Sequence, residues 1–253
     1  MQHTRDARGR TRATIKSALV ALFALAAIGG APFGASDLHA QRAESAPLKI
    51  GIIGTGRIGG ALARHWAAAG HDVFVSSRNP DELRPLAAEI GGQAGTACEA
   101  AAFGDVVLVS IPYAAMPQIG MDCAAELRGK IVLDTSNPVE RRDGAMALEA
   151  QQKGAGVATA ELLSGTRVVR AYNCIPAASL ANEANREPER IAIPIGGDDA
   201  EAITVAERLV RDSGFDPVVI GDLAATRSFD LGQPLAQGVR SAAELRRAAA
   251  ELR

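Results

Sequence analysis

Residues 48–59 read Leu48-Lys49-Ile50-Gly51-Ile52-Ile53-Gly54-Thr55-Gly56-Arg57-Ile58-Gly59, and this stretch decides the fold. Lys49–Ile53 has the pattern of a short buried strand. A helix is predicted from Ile58 to Ala69, closed by Gly70. Gly54, Gly56 and Gly59 fall between them as G-x-G-x-x-G. Gly54 permits the tight turn from strand to helix. Gly56 has no Cβ, so a pyrophosphate can approach the backbone. Gly59 lets the helix pack closely on the strand. The free N–H groups and the positive end of the helix then face the phosphates. A strand before the glycines and a helix after them is the context in which this motif binds a dinucleotide.

Outward from this stretch, the chain alternates strand and helix. His71-Asp72 turns into a strand over Val73–Ser76. Where a site for NAD carries an acid to hold the ribose 2′-hydroxyl, this chain has Ser76-Ser77-Arg78-Asn79-Pro80. A hydroxyl and a guanidinium suit a 2′-phosphate, so Ser77 and Arg78 point to NADP(H). A helix is expected over Pro80–Ile90, a short strand over Gln93–Thr96 and an alanine-rich helix over Ala97–Phe103. Val106–Ile111 reads as a buried strand whose end, Ser110-Ile111-Pro112, should lie beside the nicotinamide or its ribose. Tyr113–Leu127 has helical tendency interrupted by Pro117. Ile131–Asp134 is a strand, followed by Thr135-Ser136-Asn137-Pro138 and a charged loop with Arg141, Arg142, Asp143 and Gly144. Later strands are expected at Arg167–Ala171, Ile191–Ile195 and Asp216–Ile220. Helices are expected around Glu161–Leu163 and over Ala177–Ala184, Ala200–Ser213 and Ala242–Leu252. The alternation predicts an α/β fold: a doubly wound, mainly parallel sheet with helices on both faces and no large second domain.

The chain has 253 residues, which suffices for one α/β domain and an extension. Its 27 basic and 29 acidic residues nearly balance, and aromatics make up only 4%, so nothing points to nucleic acid. Residues 1–40 have a different character. Arg5, Arg8, Arg10, Arg12 and Lys16 precede an apolar run over Ala18–Ile28, and Leu38-His39-Ala40 resembles a cleavage site. This is the layout of a secretory signal peptide or a retained anchor, and it predicts export to the periplasm or envelope. Residues 41–47 are a linker and 48–253 the nucleotide-binding domain. A misassigned start would instead leave the domain in the cytoplasm. Cys98, Cys123 and Cys174 are odd in number and lack metal-ligand spacing, so small buried thiols are expected.

Five motifs in order resemble one family: Gly54-Thr55-Gly56-Arg57-Ile58-Gly59, Ser76-Ser77-Arg78-Asn79-Pro80, Asp134-Thr135-Ser136-Asn137-Pro138, Tyr172-Asn173-Cys174-Ile175-Pro176-Ala177 and Gly196-Gly197-Asp198-Asp199. They resemble the NADP oxidoreductases dependent on coenzyme F420, a deazaflavin, and the NADPH-binding domain of the six-transmembrane metalloreductases. The resemblance implies that Thr55, Gly56, Arg57 and Ile58 hold the pyrophosphate and that Ser77 and Arg78 hold the 2′-phosphate. It also implies that Ser110, Ile111 and Pro112 line the nicotinamide ribose. Asn137, Pro138, Ala171 and Asn173 would line the cleft for nicotinamide and acceptor. Two departures stand out. Glu82 lies near a position where some members carry lysine, and the tail has a Gly232-Gln233-Pro234 loop and one charged helix instead of further apolar helices.

The implied activity is hydride transfer between NADP(H) and a deazaflavin, flavin or similar small-molecule acceptor. Such transfer needs two rings held at near contact, and the cofactors supply the chemistry. No catalytic acid, base or metal ligand is therefore expected. His65 and His71 are expected to be structural or surface residues, and Asp134 a cap or turn residue. A hydroxyacid or imine reductase of the 6-phosphogluconate dehydrogenase type would need a large all-helical second domain of roughly 100 residues or more, and too little chain follows Asp222 for it. An NADP(H)-binding sensor or partner subunit without turnover is the alternative. A homodimer is compatible with either reading, and membrane contact is expected only through the N-terminal segment.

Overall fold

In the computed structural model, which describes residues 46–252, eight strands lie in one sheet. They are β1 (Lys49–Ile53), β2 (Asp72–Ser76), β3 (Gln93–Gly95), β4 (Val106–Val109), β5 (Ile131–Asp134), β6 (Arg167–Arg170), β7 (Ala192–Gly197) and β8 (Asp216–Gly221). Their order across the sheet is β3-β2-β1-β4-β5-β6-β7-β8. The first six are parallel, β7 runs antiparallel to β6, and β8 runs parallel to β7. This is the doubly wound, mainly parallel fold expected from the sequence. The chain moves from β1 out to β3 and then returns past β1 to β4, so the topological switch lies between β1 and β4. The readings made for residues 1–40 and most of the linker fall outside the described residues.

The helices are α1 (Arg57–Ala68), α2 (Arg84–Ile90), α3 (Ala97–Phe103), α4 (Met116–Asp122), α5 (Ala124–Leu127), α6 (Glu140–Asp143), α7 (Ala145–Lys153), α8 (Ala155–Leu162), α9 (Ala177–Asn182), α10 (Ala200–Asp212) and α11 (Ala242–Ala250). They cover both faces because successive strand residues point to opposite sides. Ile50, Ile52, Val106, Leu108, Ile131 and Leu133 pack with Leu62 and Trp66 of α1 and Leu209 of α10. Ile53, Val107, Val109 and Val132 pack on the other face with Ala100 of α3, Met116 of α4, Leu127 of α5 and Ala158 of α8. Each fully buried side chain of this size contributes about 1.5–3 kcal/mol. The Trp66 indole also donates to the Leu209 carbonyl at 2.8 Å, tying α1 to α10.

The structure differs from the sequence reading at four places. Pro80–Leu83 is a 3-10 turn leading into α2, since in one continuous helix Pro85 would lack the N–H needed to bond the Asp81 carbonyl. Pro117 does not interrupt a helix. It stands in the first turn of α4, where its missing N–H has no partner to lose. The charged stretch expected as a loop is largely α6, and α7 follows it. Cys98 and Cys123, expected as free thiols, form a disulfide with Cα atoms 5.0 Å apart. Residues 97–103 and the junction of α4 and α5 pack in the same layer, which brings the two cysteines together. Only Cys174 stays free, and burial pushes its thiol up to about 11. His65 and His71 make structural hydrogen bonds, as expected. His65 Nε2 donates to the Leu180 carbonyl, and buried His71 accepts from Leu48 N–H and donates to Asp212.

Candidate functional site

Five loops leave the sheet at one edge. They follow β1, β2, β4, β5 and β6, whose parallel course sets their carboxyl ends side by side. Every site residue expected from the sequence lies in these loops or in the first turn of α1. Hydrogen bonds stitch the loops into a row. Thr55 donates from its N–H and its hydroxyl to the Ser76 carbonyl, at 3.1 and 3.0 Å. The N–H groups of Ser110, Thr135 and Ala171 donate to the carbonyls of Ile53, Val109 and Asp134, at 2.9, 3.0 and 3.0 Å.

The three glycines of the first loop do different things. Gly54 has φ +92°, and a Cβ there would lie 2.3 Å from the Ser110 carbonyl oxygen. A Cβ on Gly59 would lie 2.3 Å from the Gly54 carbonyl oxygen, so this glycine sets how closely α1 meets the strand. A Cβ on Gly56 would meet nothing within 4 Å. Gly56 is the N-cap of α1, with no capping side chain and no acid in the first turn. No side chain of the first turn therefore offsets the positive end of the helix. A groove of about 370 Å³ runs from Gly56 and Arg57 along α1 to Asn182 of α9.

At the end of β2, Ser76 is buried and donates to the Ile52 carbonyl, whereas Arg78 is exposed. Among the described residues Arg78 makes no ion pair. The neighbouring polar groups are already engaged. Asp81 pairs with Arg84 at 2.6 Å, and Glu82 accepts from the Asn79 amide at 3.1 Å. Ser77 Oγ accepts from Asn79 N–H, which leaves its own hydrogen free to donate.

The other end of the row is buried and tightly bonded. Asn137 Oδ1 accepts from Arg170 at 3.1 Å, and its Nδ2 donates to the Asn173 carbonyl at 2.6 Å. Asn173 Nδ2 donates to the Phe229 carbonyl at 2.8 Å. Arg170 is fully buried. It donates to Asp230 at 2.8 Å, to Asp134 at 2.7 Å and to the Ser136 carbonyl at 2.8 Å. Asp134 also accepts from Ser136 N–H, which is the turn role expected for it, and from the Thr159 hydroxyl. Burial pushes the Asp134 carboxyl above its ordinary range, against the pull of Arg170. Beside this network Asp143 accepts from the N–H groups of Ala114 and Val139 and from Arg142, which in turn donates to the Asn137 carbonyl. Burial raises the Asp143 carboxyl, but these donors outweigh it and hold it below the usual range.

Three buried side-chain atoms among the described residues lack a hydrogen-bond partner: Tyr113 Oη, Ser136 Oγ and Asn173 Oδ1. All three lie in the segments that follow β4, β5 and β6. Burial also pushes the Tyr113 phenol up to about 12. An unpaired buried polar atom costs about 1–3 kcal/mol, and Ser136 Oγ and Asn173 Oδ1 lie in the two loops that follow β5 and β6. The residues present therefore fit a dinucleotide at both ends: an uncapped helix start with open space, and polar atoms left unsatisfied. Among the described residues no group of acids, histidines and cysteines could hold a metal.

Residues 49–138 match the family model described as NADP oxidoreductase coenzyme F420-dependent. The match runs from β1 to the loop after β5. The chain is 32% identical over 200 residues to the metalloreductase STEAP3 of Rattus norvegicus, a match covering 76% of this chain and 37% of the rat protein. The chain thus spans little more than a third of that relative. It is 29% identical over 204 residues to the F420-dependent NADP reductase of Methanothermobacter thermautotrophicus, covering 74% of this chain and 87% of the reductase. Among solved structures, a hypothetical protein from Sinorhizobium meliloti is 28% identical with a TM-score of 0.65, covering 81% of this chain and 98% of that one. The resemblance carried by the five motifs is thereby shown, to NADP-dependent oxidoreductases as a family.

Sequence reasoning missed Arg170, Asp230, Thr159 and Asp143. A signal for the first was present. An arginine within Val168-Val169-Arg170-Ala171, a buried parallel strand, must find carboxylate partners. Asp230 gave no local sign, because its partner lies 60 residues away.

Proposed function

We propose that the chain binds NADP(H) along this edge and transfers hydride between it and a deazaflavin, flavin or similar acceptor. The observation that carries the choice of cofactor is Arg78 beside Ser77, exposed and without an ion pair among the described residues, at the strand end where an acid would select NAD. Thr55, Gly56, Arg57 and Ile58 would hold the pyrophosphate through backbone N–H groups. Ser110, Ile111 and Pro112 would border the nicotinamide ribose, and Asn137, Pro138, Ala171 and Asn173 the ring. When bound, NADPH supplies the hydride. The protein's own part is to hold the ring against its acceptor and to exclude water. The relatives named above support the class of reaction.

Anaerobic loss of NADPH absorbance, with and without added deazaflavin, tests this. Oxidation only with deazaflavin is the expected result. Tight NADPH binding without oxidation by any flavin or deazaflavin would leave a binding module without turnover. Equal affinity for NADH and NADPH would remove the cofactor assignment. Residues 1–40 we read as an export signal or anchor. The Cys98–Cys123 disulfide supports that reading, since such bonds persist in oxidising compartments. The thiol content of protein made with and without export, measured under denaturation, tests it.

A further inference from the structure

The contacts around Arg170 close on themselves. Arg170 Nη2 donates to Asn137 Oδ1, Asn137 Nδ2 to the Asn173 carbonyl, and Asn173 Nδ2 to the Phe229 carbonyl. One peptide further on, Asp230 Oδ1 accepts from Arg170 Nε. This ring joins the loop after β5, the loop after β6 and the segment after β8. Its geometry leaves no choice in the amide of Asn137. A guanidinium can only donate, so the amide oxygen must face it and the NH₂ must turn to Asn173. Asp230 is fixed in turn by Ala155 N–H at the start of α8, which accounts for its second oxygen.

We infer that Arg170 is a positioning residue for the nicotinamide end of the site. It sets Asn137 directly and Asn173 through Asn137 and the Phe229–Asp230 segment. This inference rests on the NADP(H) site proposed above. Arg170 itself is fully buried and touches no ligand space. The ring concerns only β5, β6 and the segment after β8. The adenosine end, at β1 and β2, shares no member with it. A purely structural role would weaken every ligand alike, or none.

The test compares two ligands on Arg170→Lys. The lysine keeps the buried positive charge but has one donor centre, which cannot span Asp230 and Asn137 together. Dissociation constants for NADPH and for 2′,5′-ADP, which lacks the nicotinamide, are measured by calorimetry on the full chain, alongside the melting temperature. The expected result is NADPH binding weakened by about tenfold, the scale of one lost net hydrogen bond, with 2′,5′-ADP unchanged within about twofold. Asp230→Asn opens the ring at its other side and should give the same pattern, which covers the case of a lysine variant that does not fold. Loss of both ligands to the same degree in folded variants, or of neither, overturns the inference and leaves the NADP(H) site standing. Failure of both ligands to bind the unaltered protein overturns the site itself.

Discussion

The two ends of the expected cleft are built on opposite plans. At β1 and β2 the groups that matter are left free. Gly56 faces open space, the first turn of α1 has neither cap nor acid, and Arg78 stands exposed without an ion pair among the described residues. At β5 and β6 most groups are already engaged, Ser136 Oγ and Asn173 Oδ1 excepted. Asn137 is held by two arginines and by Asn173, and Arg170 spends its donors on four acceptors. The difference follows from what each end would meet. Phosphates are charged and strongly solvated, and mobile donors at a surface suffice to hold them. A ring awaiting hydride must be placed to a fraction of an ångström, and only a rigid, water-poor wall does that.

Substitutions at the two ends should therefore fail in different ways. The largest effect is expected from Arg170→Met, which leaves Asp134 and Asp230 buried without their cation. Loss of one partner of a buried pair costs about 3–5 kcal/mol, measurable as a lower urea midpoint. Arg78→Ala should leave stability untouched and weaken NADPH by about 1.5–3 kcal/mol, the worth of a hydrogen bond to a charged group, with NADH unaffected. Equal losses for both cofactors would refute the 2′-phosphate role. Gly59→Ala should lower stability by about 1–3 kcal/mol, because its Cβ must push α1 from the Gly54 carbonyl. A thermal melt reads this directly. Gly56→Ala is the smallest in stability, within about 0.5 kcal/mol, since the space beside it is open. It should still impair NADPH binding, by filling the place a pyrophosphate would take. A melting temperature that fell as far for Gly56→Ala as for Gly59→Ala would erase the distinction between the two glycines.

The free end was legible in the sequence, and the engaged end was not. Local signals sufficed for the first: a strand, three glycines and a helix, then Ser77-Arg78 without an acid. These residues act through their own backbone or their own exposed heads. The strands over Ile131–Asp134 and the helix over Ala97–Phe103 were likewise found to the residue, since each has a short unbroken apolar or alanine pattern between turn signals. Asn137 and Asn173 were placed in the cleft by resemblance alone. What holds them comes from Asp230, beyond two further strands, and no spacing rule links residues so far apart. The disulfide escaped for a related reason. An odd cysteine count says nothing about which two helices share a layer, and it was that packing that paired Cys98 with Cys123. The antiparallel entry of β7 also left no mark on the local pattern.

A closed ring can be opened only once. After one joint around Arg170, Asn137, Asn173 and Asp230 has been cut, a second cut has little left to release. Combined substitutions within this set should consequently act with strong epistasis, the double variant Arg170→Lys with Asp230→Asn binding NADPH hardly worse than either single one. Pairs drawn from the open end, or one from each end, should instead combine as independent changes. A change of ligand preference at such a site would then be uneven: gradual, residue by residue, at the end that would meet phosphates, but only in linked steps at the end that would meet the ring.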